Sequence, residues 1–371
     1  MSTKLNVVLK TTLSLVEQFQ STLSTHPTNS NPADDNDKSD DPLPLLSAAS
    51  AALKSHVTKL SLLTITSPFT PSAITTILST LNDSVLPSLV TATLLITPSS
   101  HTKAFQSEIR ILASAALKET SLLAKEVQVV ADEKADKKSL DKTEKDTVTV
   151  AAGRVWDTCD VLVDIAAKGV IGFVVRRAEE YRDLLRDAVE EIEQWDPEED
   201  DDFFDDLLGE EGPGAGKDRD DDDGDDEDDE DEDIAAQQAR KKDALRILKP
   251  VAQIYPAIIS NRLKEGPASL APANVGTLES LLKNLQQIPN HIDEVAGALY
   301  EDDVEKYASQ LKKAKGCAFK AIELVTLPWA SKLNSNAQDD AGDKFTTWSK
   351  TWTKVIEEVS KSMDGSGSKS G

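Results

Sequence analysis

Residues 196–233 have the sequence DPEEDDDFFDDLLGEEGPGAGKDRDDDDGDDEDDEDED, and this acidic run decides how the rest of the chain is organised. It contains 24 Asp and Glu residues and two basic ones, Lys217 and Arg219, which gives it −22 of the net charge of −25. Like charges at this density repel one another, and the run has too few apolar residues to form a core. We therefore predict a disordered acidic linker over 196–233, with a folded region on each side.

The regions on both sides of the linker have apolar residues at three- and four-residue spacing, which is typical of amphipathic helices. Strand signals, such as a turn dipeptide between alternating apolar runs, are nearly absent. A break near Gly169 is expected, because an unbroken helix from 147 to 195 would be about 70 Å long. About ten such helices with short links predict an all-α fold of antiparallel helical bundles, in two halves separated by the linker. The first apolar stripe consists of Leu5, Val8, Leu9, Thr12, Leu15, Val16, Phe19 and Leu23.

Domain boundaries follow from this pattern. Residues 1–195 are predicted to form an N-terminal helical bundle, in which the polar stretch 26–41, rich in Asn, Asp, Ser and Pro, is a disordered loop. Residues 234–362 are predicted to form a C-terminal helical bundle. The Gly- and Ser-rich residues 363–371 are predicted to form a flexible tail.

The composition indicates the environment of the protein. The two cysteines, Cys159 and Cys317, fit neither a disulfide framework nor a zinc pattern, which favours a reducing compartment such as the cytosol or nucleus. The most apolar segment, Val85–Ile96, contains Pro87 and is too short to span a bilayer. We therefore expect a soluble protein that does not bind membranes.

The sequence contains no recognisable catalytic or cofactor-binding pattern. The four histidines are scattered, and none lies four residues from another His or Cys, as a metal site on a helix requires. The glycine-rich Gly212–Lys217 lacks the first Gly and the final Ser or Thr of a Walker motif. Arg240-Lys241-Lys242 is too short to bind a phosphate backbone, and we interpret it as a solvated helix face. The sequence predicts a protein that is not an enzyme, has no metal or cofactor, and does not bind nucleic acid directly.

One segment of the linker combines acidic and large apolar side chains. Asp201–Leu208 has the sequence DDFFDDLL, which places its apolar residues on one side of a short helix. Segments of this kind fold into a partner's groove on binding. They can equally pack on the chain's own helices, and both alternatives stay open. The candidate partner-binding residues are Phe203, Phe204, Leu207 and Leu208.

Two helical segments before the linker carry a further pattern. The first contains WDTCD at Trp156–Asp160, the sequence GVIG follows at Gly169–Gly172, and the second contains LLRDAVEEIEQW at Leu184–Trp195. This order, followed by a strongly acidic segment and a helical C-terminal half, resembles the Grap2 and cyclin-D-interacting protein family. The long loop at 26–41 and the extended acidic run suggest a divergent member of fungal type.

The motif residues of this resemblance are interpreted as mostly structural. Helical spacing places Trp156 and Cys159 on the side that packs in the bundle, whereas Asp160 lies elsewhere and can bridge to a neighbouring helix. Glu190 and Glu191 are interpreted as part of a solvated face that leads into the acidic run. The complete set is Trp156, Cys159, Asp160, Asp187, Glu190, Glu191 and Trp195.

The resemblance implies an all-helical protein without catalytic activity that binds regulatory proteins. Animal members of the family bind D-type cyclins and an adaptor protein, act in cell-cycle and transcriptional control, and occur in cytoplasm and nucleus. Some are described as Id-like helix-loop-helix inhibitors. We therefore expect an adaptor or negative regulator with a cyclin-like or helix-loop-helix partner. The alternative is an acidic chaperone that binds basic, histone-like proteins through the acidic run.

Overall fold

The described part of the chain is almost entirely helical. A computed structural model describes residues 3–25, 41–133, 140–197, 226–265, 272–327 and 343–366, and no strand occurs among them. The prediction of an all-α fold is confirmed. The predicted loop residues 26–40, the linker residues 198–225 and the tail residues 367–371 lie outside the described ranges. None of the helices in these ranges combines the length and the apolar character that crossing a bilayer requires.

The chain divides into two compact units, one ending at Phe173 and the other beginning at Val174. We name them the N-terminal unit and the C-terminal unit. The predicted boundary at residue 195 stays a prediction. Residues after Val174 pack on the C-terminal helices, as Trp195 does on Tyr300.

The N-terminal unit has a core of fully buried leucine and other apolar side chains between its helices. It consists of α1 (Thr3–Ser24), α2 (Pro42–Ile65), α3 (Pro71–Thr80), α4 (Leu86–Leu95), α5 (Lys103–Glu133) and the first part of α6 (Lys142–Gln194). A π-helical turn, Leu81–Val85, joins α3 to α4. Helix α1 packs on α5 and α3, and α2 packs on α4 and α3. Among the largest fully buried side chains are Leu5, Leu9, Leu46, Leu53, Leu60, Ile74, Leu78 and Phe105.

Local sequence sets the starts of two helices in this unit. At α2, the Asp41 carboxylate accepts a hydrogen bond from the Leu43 backbone N–H at 3.0 Å, and Pro42 occupies the first turn, where its missing N–H costs nothing. At α6, Asp141 and Glu144 form a reciprocal capping box with distances of 2.7 and 2.8 Å. Both helices therefore begin where side-chain oxygens satisfy backbone donors.

The C-terminal unit starts with the last part of α6. It continues with α7 (Asp226–Ala252), α8 (Ile254–Ile258), a π-helical turn (Ile259–Leu263), α9 (Pro272–Tyr300), α10 (Val304–Val325) and α11 (Lys344–Ser366). Helices α9 and α10 pack along each other, and α11 packs on α7. Helix α7 begins inside the acidic run, before the predicted start at 234, because acidic residues favour the first turns of a helix. Helix α11 extends past the predicted bound at 362.

Helix α9 continues through Pro289, although a proline inside a helix usually bends or interrupts it. A proline has no backbone N–H, so the carbonyl of Leu285, four residues earlier, loses its usual helical donor. The hydroxyl of Tyr255 in α8 donates to this carbonyl at 2.7 Å. The hydrogen bond from a neighbouring helix thus replaces the one that proline removes.

A buried arginine connects three segments of the C-terminal unit. Arg262 is 5% exposed, and it donates to the backbone carbonyls of Val325 at 2.6 Å and Thr326 at 2.9 Å. Its guanidinium also lies 2.7 Å from a carboxylate oxygen of Asp343 and 4.2 Å from the centre of the Phe345 ring. The π-helical turn, the end of α10 and the start of α11 are therefore held together by one side chain.

Candidate interaction surface

The first motif segment lies in α6, where its inner side is packed. Cys159 is fully buried, and burial, with a smaller contribution from the Asp160 carboxylate, raises the pKa of its thiol to about 12. A thiol with this pKa stays protonated near neutral pH and is a poor nucleophile. Trp156 is half-buried. The structure therefore places Cys159 in the core of the N-terminal unit.

Asp160 points away from this core and joins two helices. Both of its carboxylate oxygens accept hydrogen bonds from Lys54 Nζ in α2, at 2.6 and 2.7 Å. The Lys54 and Asp160 side chains are 41% and 58% exposed, so the ion pair contributes at most about 1 kcal/mol to stability. It is a surface contact between α6 and α2.

The glycines of the motif explain the predicted break in α6. Gly169 has φ +63° and ψ −167°, a backbone conformation that residues with a side chain rarely adopt. At Gly172, a Cβ atom would lie 2.5 Å from the Cβ of Lys168, which is too close for two carbon atoms. The break near Gly169 is confirmed, and glycine permits it, because a side chain would be strained at position 169 and would clash at position 172.

The second motif segment, at the end of α6, belongs to the C-terminal unit. Asp187, Glu190 and Glu191 are exposed. Glu191 also accepts a hydrogen bond from the Tyr300 hydroxyl at 3.4 Å, and Trp195 packs on the same tyrosine with ring centroids 5.0 Å apart. Glu191 and Trp195 therefore contact α9. The interpretation of Glu191 as part of a solvated face agrees with its exposure, and its contact with α9, which is remote in sequence, is an addition to that interpretation.

The basic residues at 240–242 also contact other elements. Arg240 forms an ion pair with Asp302, and Lys241 donates a hydrogen bond to the backbone carbonyl of Trp195. Lys242 is exposed. The interpretation of all three as a solvated face was wrong for the first two, because their partners come from elements distant along the chain.

The outer side of α6 carries an exposed stripe in the N-terminal unit. Val150 and Val161 are 56% and 39% exposed, and the exposed Arg154 and Asp157 lie between them. Spacings of four, three and four residues place all four on one side of the helix. We name these residues the outer stripe of α6. The sequence analysis did not identify this stripe, because it considered only the buried face of the helix. The two valines outside the buried face could have indicated it.

The remaining sequence-predicted candidates are not placed by the structure. Phe203, Phe204, Leu207 and Leu208 lie outside the described residues. Within the ranges that are described, no group of three or more His, Cys, Asp or Glu side chains could hold a metal ion.

Comparison with known proteins shows which family the motif segments resemble. A search of curated proteins gave no match. A family model described as "Grap2 and cyclin-D-interacting, N-terminal" matches residues 45–198. This range runs from α2 to the end of α6 and includes both motif segments, which confirms the resemblance seen in the sequence. Residues 45–198, less than half of the chain, are therefore similar to the N-terminal part of the Grap2 and cyclin-D-interacting family.

Proposed function

We propose that this protein is a non-enzymatic adaptor that binds a regulatory protein and acts as a negative regulator in cell-cycle or transcriptional control. The observation that carries the proposal is the match of residues 45–198 to a family described as cyclin-D-interacting. The partner is a cyclin-like or helix-loop-helix protein. The protein acts in cytoplasm and nucleus, and microscopy of the tagged chain tests this location.

We assign the contact to the outer stripe of α6. The inner side of the same helix is occupied by the core, at Cys159 for example, so a partner can reach only the outer side. Buried side chains such as Val155 and Cys159 fix α6 in the N-terminal unit, and a surface on a rigid helix loses little entropy on binding. Two exposed valines with one cation and one anion between them suit a partner helix that has an apolar ridge.

Direct binding of the purified full chain to a purified D-type cyclin, and separately to a purified helix-loop-helix protein, tests the proposal. We expect wild-type protein to bind one of these two classes. Replacing both valines, V150D with V161D, should weaken that binding at least about tenfold, since burying an unpaired charge costs more than about 1.4 kcal/mol. Isothermal titration calorimetry measures the two dissociation constants.

The matched control is Val7→Asp in α1. Val7 is 59% exposed and lies outside the matched range 45–198. The substitution adds the same charge to an exposed helical position, and it should change the affinity less than about twofold. Binding to neither protein class would overturn the proposed function. An equally large effect of V7D would overturn only the assignment to the outer stripe.

A second candidate function, an acidic chaperone, rests on the acidic run. The net charge of −22 within 196–233 attracts basic, histone-like proteins, and this attraction weakens as salt screens it. Replacing the Asp and Glu residues between 218 and 233 by Asn and Gln separates the two functions. Capture of purified histones should then disappear, whereas binding to a cyclin-like or helix-loop-helix protein through α6 should persist.

A further inference from the structure

A basic depression lies on α7 beside Pro197, the last residue described before the linker. Its volume is about 490 Å³. Its walls include Pro197, one carboxylate from Asp196, and four cationic side chains. Such a concentration of positive charge contrasts with the net charge of −25 of the whole chain. The four cationic residues are Lys241, Lys242, Arg246 and Lys249.

The positive charge of this depression is only partly compensated. Lys249 is paired with Glu193, and Arg246 lies 3.4 Å from Asp243. Lys242 is exposed and has no ion pair within the described ranges. The depression therefore retains capacity to bind further carboxylates.

An apolar depression of about 400 Å³ adjoins the basic one. Its walls include Pro250, Trp348, Trp352 and Val355. Trp352 is held in place because its Nε1 donates to the Pro250 carbonyl at 2.8 Å, and its ring stacks on Trp348 with centroids 6.4 Å apart. Trp352 is only 5% exposed, so the aromatic surface that this half offers to an apolar ligand is mainly that of the half-buried Trp348, which Trp352 supports.

The two depressions adjoin at Lys249, which lines both of them. We name the pair the basic–aromatic groove. Along α7, Lys241 and Pro250 are separated by about 14 Å, at 1.5 Å per residue. A ligand that fills the groove needs carboxylates at one end and large apolar groups at the other, within roughly this length.

We propose that the chain's own segment Glu198–Leu208 occupies the basic–aromatic groove. The residues directly after Pro197 are EEDDD, at 198–202, and their charge complements the basic half. Next come Phe203, Phe204, Leu207 and Leu208, whose apolar side chains complement the tryptophans. The order of acidic and apolar residues in the segment thus follows the order of the two halves of the groove.

The length of the chain permits this arrangement. Eleven residue steps separate Pro197 from Leu208, which span about 16 Å as a helix and up to about 37 Å when extended. Both lengths exceed the distance of about 14 Å from Lys241 to Pro250, so the segment can extend from the basic half of the groove to the aromatic half. Residues 209–225 can extend to about 55 Å, whereas Asp226 and Lys241 are about 22 Å apart along α7. The chain can therefore fill the groove and still return to the start of α7.

An occupied groove has a consequence for partner binding. While the segment lies in the groove, its phenylalanines and leucines face Trp348 and Trp352 and cannot enter a partner's groove. The two alternatives that the sequence leaves open for Asp201–Leu208 are then competing states of one segment. The docked state is the one that exists in the absence of a partner.

Cross-linking of the full chain tests the proposal. Cysteine is introduced at Asp205 in the segment and at Thr351, an exposed residue of the groove wall, and a short bismaleimide links them. The control pairs Asp205→Cys with Glu357→Cys, because Glu357 is also exposed on α11 but lies on the opposite side of that helix. The native Cys159 and Cys317 are buried, and burial raises the pKa of both thiols, so they react slowly.

We expect the link from position 205 to position 351, within one chain, to form at least about tenfold faster than the link to position 357. The charge reversal K242E with R246E, and separately the replacement of the four apolar residues of the segment by serine, should each lower this rate towards the control. Circular dichroism checks that the variants stay folded. Equal rates at 351 and 357, links formed only between two chains, or no response to either set of substitutions would overturn the proposal.

Discussion

The two units satisfy their buried polar side chains in different ways. In the N-terminal unit, buried Ser and Thr hydroxyls donate to the backbone carbonyl four residues earlier in the same helix, at 2.7 to 3.0 Å. These bonds do not involve the neighbouring helix, so apolar packing selects which helices meet. The residues are Thr12, Ser50, Thr64, Thr93 and Thr120.

In the C-terminal unit, the buried side chains of Arg262 and Tyr255 reach from one segment to another, although the buried Ser349 bonds within its own helix. Arg262 donates to the carbonyl of Val325, and Tyr255 donates to that of Leu285. Such bonds are directional, and breaking one leaves a buried acceptor without a donor. The C-terminal unit should therefore be more sensitive to single polar substitutions than the N-terminal unit.

The largest expected effect is that of Arg262→Ala. The substitution removes donors from two carbonyls and the counter-charge of Asp343, so the free energy of unfolding should fall by about 3 kcal/mol. Urea denaturation followed by tryptophan fluorescence measures the loss. The control is Arg246→Ala, an exposed residue 3.4 Å from Asp243, which should cost less than about 1 kcal/mol. Similar losses of stability for the two variants would show that the buried bonds of Arg262 do not stabilise the C-terminal unit more than an exposed ion pair does.

A pair of hydroxyl deletions sharpens the contrast. Tyr255→Phe should cost about 2 kcal/mol, because the Leu285 carbonyl then has no donor from either Tyr255 or Pro289. Thr64→Val in the N-terminal unit should change stability by less than about 1 kcal/mol, because its acceptor, the Leu60 carbonyl, lies within a regular helix. Thermal and urea denaturation of the full chain measure both changes.

A third variant tests whether the loss of stability in Tyr255→Phe comes from the missing donor to the Leu285 carbonyl. Pro289→Ala supplies a backbone N–H to the Leu285 carbonyl, so in the Tyr255→Phe background it should recover most of the lost stability. If Pro289→Ala is equally stabilising with Tyr255 present, the two groups do not share that carbonyl and our explanation of the continuous α9 is wrong.

The smallest expected effect is a decrease in the free energy of unfolding at acidic pH. Hydrogen bonds from Arg262 lower the pKa of Asp343 to about 2, from an ordinary value of 3.8. A carboxylate with a lowered folded-state pKa stabilises the fold above its unfolded pKa and loses this contribution as pH falls from about 4 towards 2. Asp343 is 38% exposed, so screening limits the contribution to about 1 kcal/mol.

Asp343→Asn separates this contribution from the titration of other carboxylates. Asparagine can still cap α11 through the bond that Asp343 accepts from the Thr346 N–H at 2.8 Å, but it does not titrate. The difference in unfolding free energy between wild type and variant should be largest above pH 4 and shrink by pH 2. A difference that is constant over this range would show that the charge of Asp343 does not contribute.

The sequence predicted the parts of the candidate site that depend on one helix at a time. Helical spacing placed Cys159 on the packed side of α6 and Asp160 off it, and the structure places them so. The outer stripe of α6 was within reach of the same reasoning but was not recognised. The tertiary contacts of Glu191 and Lys241 were not predictable, because spacing within one helix contains no information about which other helix lies opposite.

The sequence by itself determined the helices, their buried faces, the break at Gly169 and the position of the acidic run. Each of these follows from the chemistry of residues close together in the chain: apolar periodicity, a backbone conformation open to glycine, and repulsion between adjacent charges. Only the tertiary structure decided where one unit ends, which carbonyl Tyr255 reaches and what surrounds Arg262. Those outcomes depend on pairs of residues far apart in sequence, whose meeting is fixed by the packing of whole helices.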